Sequence, residues 1–168
     1  FTGPSGEHYV LFRLLQMEYV AGLAPRNAPN SDIIVTNVPG TKSAAIQVKT
    51  RRPLGNDGGW HMRAKHELLV GERMFYCFVD LKKEKTQSPD VYILPSKVVA
   101  DVLKLIHQIW LKQPGKKGQK HKETKLRRLL PDYSKNTGLN AEQLKFYGKG
   151  WLDKYKENWA VLGLDQKY

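Results

Sequence analysis

Cysteine is nearly missing from this chain: its 168 residues include one, Cys77. A single thiol excludes an intramolecular disulfide framework and fits a reducing compartment. Its setting, the apolar run MFYCFVDL, makes it a small buried hydrophobe and not a nucleophile. Long apolar runs are lacking too. None approaches the length of about 18 residues that a membrane-spanning helix needs, and no charged-then-apolar leader opens the chain. The expectation is a cytoplasmic protein with no membrane partner. The chain starts on Phe1 and not on methionine, so part of a native N-terminus is expected to precede it. Acidic residues are scarce: 16 Asp and Glu face 28 Lys and Arg, for a net charge of +12.

What is present follows from that imbalance. A hydrophobic content of 40% is enough for a real core, so the chain is not a disordered polycation. Its length suits one domain with an extension. The basic excess predicts a polyanionic partner, with nucleic acid the default because Lys and Arg make phosphate contacts. Charge is concentrated between Lys112 and Arg128, where eight basic residues stand against Glu123 alone. Pro114, Gly115 and Gly118 give that stretch a loop's composition. Within it Lys116, Lys117, Lys120 and Lys122 are candidate phosphate contacts. The division expected is a core over 1–111 and a basic, helical C-terminal extension over 112–168, packed on it.

Periodicity places the elements. Val10, Leu11, Leu14, Leu15 and Met17 recur at helical spacing after a candidate cap at Ser5, with a stop at Gly22. A strand is expected from Asp32, then a turn at PGTK, then a second strand over SAAIQVKTRR. A glycine-rich loop leads to a predicted helix over 62–71, and MFYCFVDL reads as a central strand. DVYILP is a further strand, and Ser96 opens an amphipathic helix ending at Pro114-Gly115. Asn140 is placed to cap a short helix, and Trp151, Leu152, Tyr155 and Trp159 are expected to pack on one side of a helical tail. The order indicates an α/β fold: a mixed central β-sheet flanked by helices.

The chemistry sits in AAIQVKTRR, residues 44–52. Side chains alternate along a strand, so Ile46 and Val48 face the core while Gln47 and Lys49 share the opposite face. The turn back to Asp32 brings its carboxylate beside the Gln47 carbonyl, with the Lys49 ammonium next to both. An acid, a neutral oxygen and an amine at a sheet edge suit a hard cation and a water-activating lysine. Mg2+ takes oxygen ligands anchored by one or two carboxylates, and a bound metal lowers the pKa of an attacking water in phosphodiester hydrolysis. A second carboxylate from the first helix completes the set. Glu7 is the choice, ahead of Glu18.

Taken together, SGEHYV, NSDIIVTNVPG and AAIQVKTRR resemble the PD-(D/E)XK nuclease superfamily, over roughly residues 3 to 100. The resemblance implies a restriction-endonuclease-like core in the order α-β-β-β-α-β. It also implies a Mg2+- or Mn2+-dependent endonuclease acting on DNA, with Asp32, Gln47, Glu7 and the Val48 main-chain carbonyl as metal ligands and Lys49 as the catalytic lysine. This chain carries the Q-x-K variant: Gln47 stands where the pattern has an acid, and Ser31 where it has proline. Gln47 keeps an oxygen ligand but loses a charge, which shifts weight to Glu7. Arg51, Arg52 and Arg63 are candidate phosphate contacts by position, and Trp60 is a candidate to stack on a base. A homodimer would suit double-strand cuts. The rival expectations are a non-catalytic nucleic-acid-binding module of the same fold and an RNA-directed nuclease.

Overall fold

The N-terminal helix α1 (Thr2–Gln16) begins three residues before Ser5, whose hydroxyl donates to the Phe1 carbonyl at 2.8 Å. Pro4 sits in the first turn, where its missing N–H has no helical partner to lose. This computed structural model describes residues 1–54, 58–115, 117–136 and 138–164. The helix stops well before Gly22, and Glu18 turns the chain with φ of 64°. An edge strand follows immediately, β1 (Val20–Leu23), in a segment whose apolar spacing continues the helical pattern.

Strand β2 (Ile33–Thr36) pairs antiparallel with β3 (Ser43–Arg51), Ile33 opposite Ile46, through a turn in which Gly40 takes φ of 68°. Strand β3 runs parallel to β5 (Met74–Asp80), which pairs antiparallel with β6 (Asp90–Pro95). The result is a mixed five-stranded sheet in the order β1-β2-β3-β5-β6.

The crossover from β3 to β5 corrects one expectation. Residues 62–71 form no α-helix; β4 (Trp60–Arg63) and a 3-10 turn over Ala64–Glu67 take its place. Trp60 and Met62 alternate inward with His61 and Arg63 outward, the period of a strand. The partner of β4 is β7 (Leu126–Leu129), which lies inside the basic stretch. Arg127 and Leu129 point inward there, and Arg127 is buried because the Glu67 and Glu123 carboxylates meet its guanidinium.

Each face of the sheet has its own core. On one, Val10 and Leu14 of α1 meet Ile33, Val35, Ile46 and Val48, together with Cys77 and Val79 of β5. On the other, Val99, Val102 and Leu103 of α2 (Ser96–Lys112) pack with Tyr76, Phe78, Leu94, Trp60 and Leu129. Ser96 opens α2 but spends its hydroxyl on Gly71, accepting from its N–H and donating to its carbonyl, both at 3.0 Å. Asn140 caps α3 (Ala141–Tyr147) through a reciprocal capping box with Gln143. The tail aromatics divide between the faces and do not share one side: Trp151 joins the α2 side, Trp159 the α1 side. Among the described residues no helix is long and apolar enough to cross a membrane.

Helix α1 approaches β3 through Gly6. A Cβ there would lie 1.9 Å from the Thr50 hydroxyl oxygen and 2.9 Å from its Cβ. Alanine normally stabilises a helix interior over glycine by up to about 1 kcal/mol. Gly6→Ala is expected to do the opposite, costing about 1–3 kcal/mol through overpacking, with Thr50→Ala recovering part of the loss. Urea unfolding of the two single variants and the double variant measures both; a more stable Gly6→Ala protein contradicts the close approach.

Candidate functional site at the end of the β2–β3 pair

Strand β2 is shorter than β3. The ladder between them ends where the Asp32 N–H donates to the Ile46 carbonyl at 2.8 Å. Beyond that point β3 continues without a backbone neighbour on this side, and the Asp32 side chain takes over. Its Oδ2 accepts the Val48 N–H at 2.6 Å and a further hydrogen bond from Gln47 Nε2. Backbone groups two residues apart point the same way along a strand, so the Val48 carbonyl follows that of Ile46 towards the end of β2.

The face assignments expected from alternation hold: Ile46 and Val48 are in the α1-side core, while Gln47 and Lys49 lie on the other face, opposite Tyr76 and Phe78 in the β3–β5 register. Asp32 and Gln47 are in contact, as expected, but through the Gln47 amide nitrogen and not its carbonyl. In this arrangement Gln47 is a donor to the carboxylate; its oxygen reaches a cation after the amide turns over. Glu7, near the start of α1, lines the same cleft as Asp32, a space of about 320 Å3 bounded also by the loop over residues 24–28.

Lys49 is half-buried. Burial pushes its pKa below the ordinary lysine value; Asp32 and Glu7 act against that shift, and Lys65 adds to it. An amine held this way gives up its proton more readily than a surface lysine. Two neighbours went unassigned in the sequence. Lys65 donates to Asn30 Oδ1 at 3.1 Å, tying the 3-10 turn to the loop before Asp32. His66 is buried, with Nδ1 2.9 Å from the Tyr76 hydroxyl. Its burial, then the charges of Lys49, Lys65 and Arg63, lower its pKa to about 4, so it is neutral at physiological pH. Arg26, exposed on the 24–28 loop, adds a cation to the cleft. Contacts remote in sequence bring these three to the site, and no local pattern marks them.

The expected nucleic-acid contacts divide. Arg51 does not reach out to solvent: Nη2 bonds Asp80 at 2.6 Å, Nη1 donates to the Gly58 carbonyl, and the guanidinium lies 4.2 Å from the Trp60 ring centre. Trp60 is 1% exposed, with Nε1–H donating to the Val79 carbonyl at 2.9 Å, so its ring is core and is not offered to a base. Its alternation with Met62 on β4 explains the difference from the loop position expected. Arg52 donates to the Lys82 carbonyl at 3.0 Å. Arg63, Lys117, Lys120 and Lys122 are exposed, and Lys116 lies outside the described residues.

Among the described residues no three of His, Cys, Asp and Glu converge as a metal-binding group; the donors gathered here are two carboxylates, an amide and a main-chain carbonyl. No protein-family model matches the chain, and neither curated proteins nor solved structures provide a match.

Two stability effects follow from the buried bases. The fold keeps His66 neutral down to about pH 4, whereas the unfolded chain protonates it near 6.5. Unfolding takes up a proton between those values, so stability falls as pH drops from 6.5 to 4. Urea midpoints across that window are expected to be flatter in His66→Gln than in the parent; equal slopes would remove His66 as the cause. Lys49 has a folded pKa below its unfolded one, so burying this amine opposes folding at neutral pH, where the unfolded chain carries it charged. Lys49→Met is therefore expected to raise Tm at neutral pH, and a lowered Tm by calorimetry would contradict the burial cost.

Proposed function

We propose that the protein is a metal-dependent endonuclease hydrolysing phosphodiester bonds in DNA, built on a restriction-endonuclease-like core with a basic C-terminal extension. The observation that carries the reading is the convergence at the end of β2. Asp32 and Gln47 are bonded to each other, Lys49 lies on the same face with a lowered pKa, and Glu7 shares the cleft with Asp32.

The donors fit Mg2+ or Mn2+, hard cations that prefer oxygen ligands. Glu7, Asp32, the Gln47 side-chain oxygen and the Val48 carbonyl would hold the ion. The Val48 N–H and Gln47 Nε2 both donate to Asp32 Oδ2, so Oδ1 would be the oxygen turned to the cation. An ion held there would supply a lowered pKa for a bound water and offset phosphate charge. The chain's own contribution is orientation and proton handling. Val48 N–H and Gln47 fix the Asp32 carboxylate before any ligand arrives, which lowers the reorganisation needed at the reaction. Lys49 Nζ, with its proton loosely held, orients the attacking water or donates to charge building on the scissile phosphate. Arg26 and Lys65 add positive field for the strand.

The Gln47 Nε2–Asp32 bond favours one alternative, a nucleic-acid-binding module of the same shape without catalysis, because it occupies the carboxylate with a protein donor. One set of reactions separates the two. Plasmid, branched DNA, single strands and RNA are incubated with Mg2+ or Mn2+ and with EDTA. Cleavage is expected with metal only, reduced at least about a hundredfold in Lys49→Ala and in Asp32→Asn. Binding without metal-dependent cleavage on every substrate would establish the module. Cleavage of RNA alone would make the enzyme RNA-directed, and cleavage surviving both substitutions would move the site elsewhere.

A further inference from the structure

On the same face of the sheet as Lys49, between the last turns of α2 and the β4–β7 ribbon, lies a second cavity of about 470 Å3. That is within the range of about 300–1,000 Å3 usual for sites that take small organic groups. Its apolar lining comes from Leu103, Ile106 and Leu130, and Trp110 contributes an aromatic wall. Polar lining includes the buried His107 and Arg127, the half-exposed Gln113 and Asn136, and exposed Arg128 on β7.

The basic segment is anchored beside this cavity. After α2 the chain folds into a small loop: Pro114 bridges Lys120, and the Gly115 N–H donates to the Gln119 carbonyl at 2.8 Å. His121 then stacks on Trp110, ring centres 4.0 Å apart and planes inclined by 23°. Two residues further on, Glu123 Oε1 is 2.7 Å from His107 Nε2. These contacts place Lys120 and Lys122, which flank His121, next to the Trp110 wall; both are exposed.

We propose that the cavity receives a single nucleobase from an unpaired DNA strand, while the basic segment holds the phosphates on either side of it. The inference rests on the reading of this protein as one that acts on nucleic acid, and it adds a site separate from the Asp32–Lys49 cluster. An apolar floor bordered by Trp110, itself stacked against His107 and His121, suits a flat ring, and the Asn136 amide nitrogen, whose Oδ1 accepts from the Gly138 N–H at 3.1 Å, suits an acceptor on the edge of that ring. The neighbouring lysines match the charge attached to it. A bare phosphate would need no apolar cavity, and an apolar peptide would leave the lysines without a counterpart. A base enters such a cavity only when free of its partner, so the site favours single-stranded or distorted DNA over regular duplex.

The test uses Lys49→Ala protein, so that binding is measured without cleavage. Fluorescence anisotropy compares a short single-stranded DNA with an abasic strand of the same length and charge. The base-bearing strand is expected to bind roughly tenfold more tightly. Ile106→Trp, which fills the cavity, and Asn136→Leu, which removes an amide from its lining, are expected to lower affinity to the abasic level, with the salt dependence unchanged. Thermal melts check that each variant folds, and the Asn136 variant, which adds no bulk, serves if Ile106→Trp does not fold. Equal binding of the two strands, or a base preference that survives in the folded variants, would overturn the proposal while leaving the nuclease reading in place. Failure to bind either strand would overturn both.

Discussion

The hydrogen bond from the Val48 N–H to Asp32 is the constraint on which the site depends. Strand β3 has nine residues and β2 has four, so part of β3 runs on with no ladder partner on that side. A buried N–H left unpaired costs about 1–3 kcal/mol. Asp32 removes that cost by offering a carboxylate oxygen where a backbone carbonyl would have been. The same oxygen accepts from Gln47, and two donors on one oxygen leave the carboxylate little rotational freedom. A bond made for the sheet's sake therefore also fixes an acid at the mouth of a cleft. Its structural role and the proposed chemical one would coincide in one side chain, and removing it is expected to disturb both.

Lys49 gains its character from how the two faces of the sheet are covered. On the α1 side β3 contributes Ala44, Ile46 and Val48 to a continuous apolar core. On the other side α2 covers Tyr76 and Phe78 of β5, while the β3 end of that face is roofed by β4 and the 3-10 turn. That roof brings Lys65 and His66 as well as the apolar Trp60 and Met62. Lys49 is thus removed from much of the water yet surrounded by groups that respond to charge. Burial pulls its pKa down, while the charges of Asp32 and Glu7 act against that shift. The neutral His66–Tyr76 pair provides polarity without adding a further cation beside it.

Alternation made Asp32, Gln47 and Lys49 legible in the sequence, because their relation depends on a single turn and the parity of two strands. Glu7 was legible from its position in α1, and Asn140 from its capping pattern. Elements hidden by a competing signal were not. Val20–Leu23 continues the apolar spacing of α1, so a strand there looked like helix. Residues 62–71 carry Met62, Leu68 and Leu69 at intervals a helix would accept, and the strand period of Trp60 and Met62 is too short to dominate. Strand β7 lies in a charge run where Arg127 takes an inward position that a hydrophobic pattern assigns to an apolar residue. It does so because Glu67 and Glu123, distant and near in sequence, neutralise it. The turned amide of Gln47 depends on hydrogen-bond geometry that no spacing encodes.

The positive charge is also divided by residue type, and the division bears on recognition. Arg13 pairs with Glu157, Arg51 with Asp80 and Arg127 with Glu67, while Arg73 donates to the Ser43 and Leu162 carbonyls. These are fork-shaped donors used as internal clamps, the role for which guanidinium geometry is suited. The described lysines of the basic segment, by contrast, are exposed on the surface. Lysine is a compact point charge that follows a phosphate backbone without reading bases, so binding through it is strong in low salt and indifferent to sequence. A protein whose arginines are largely committed to its own fold has few side chains left for bidentate base reading. On the proposed function, discrimination among nucleic acids would then fall to shape: to how a strand fits the cleft beside Asp32 and whether a base can leave the stack for the cavity beside Trp110.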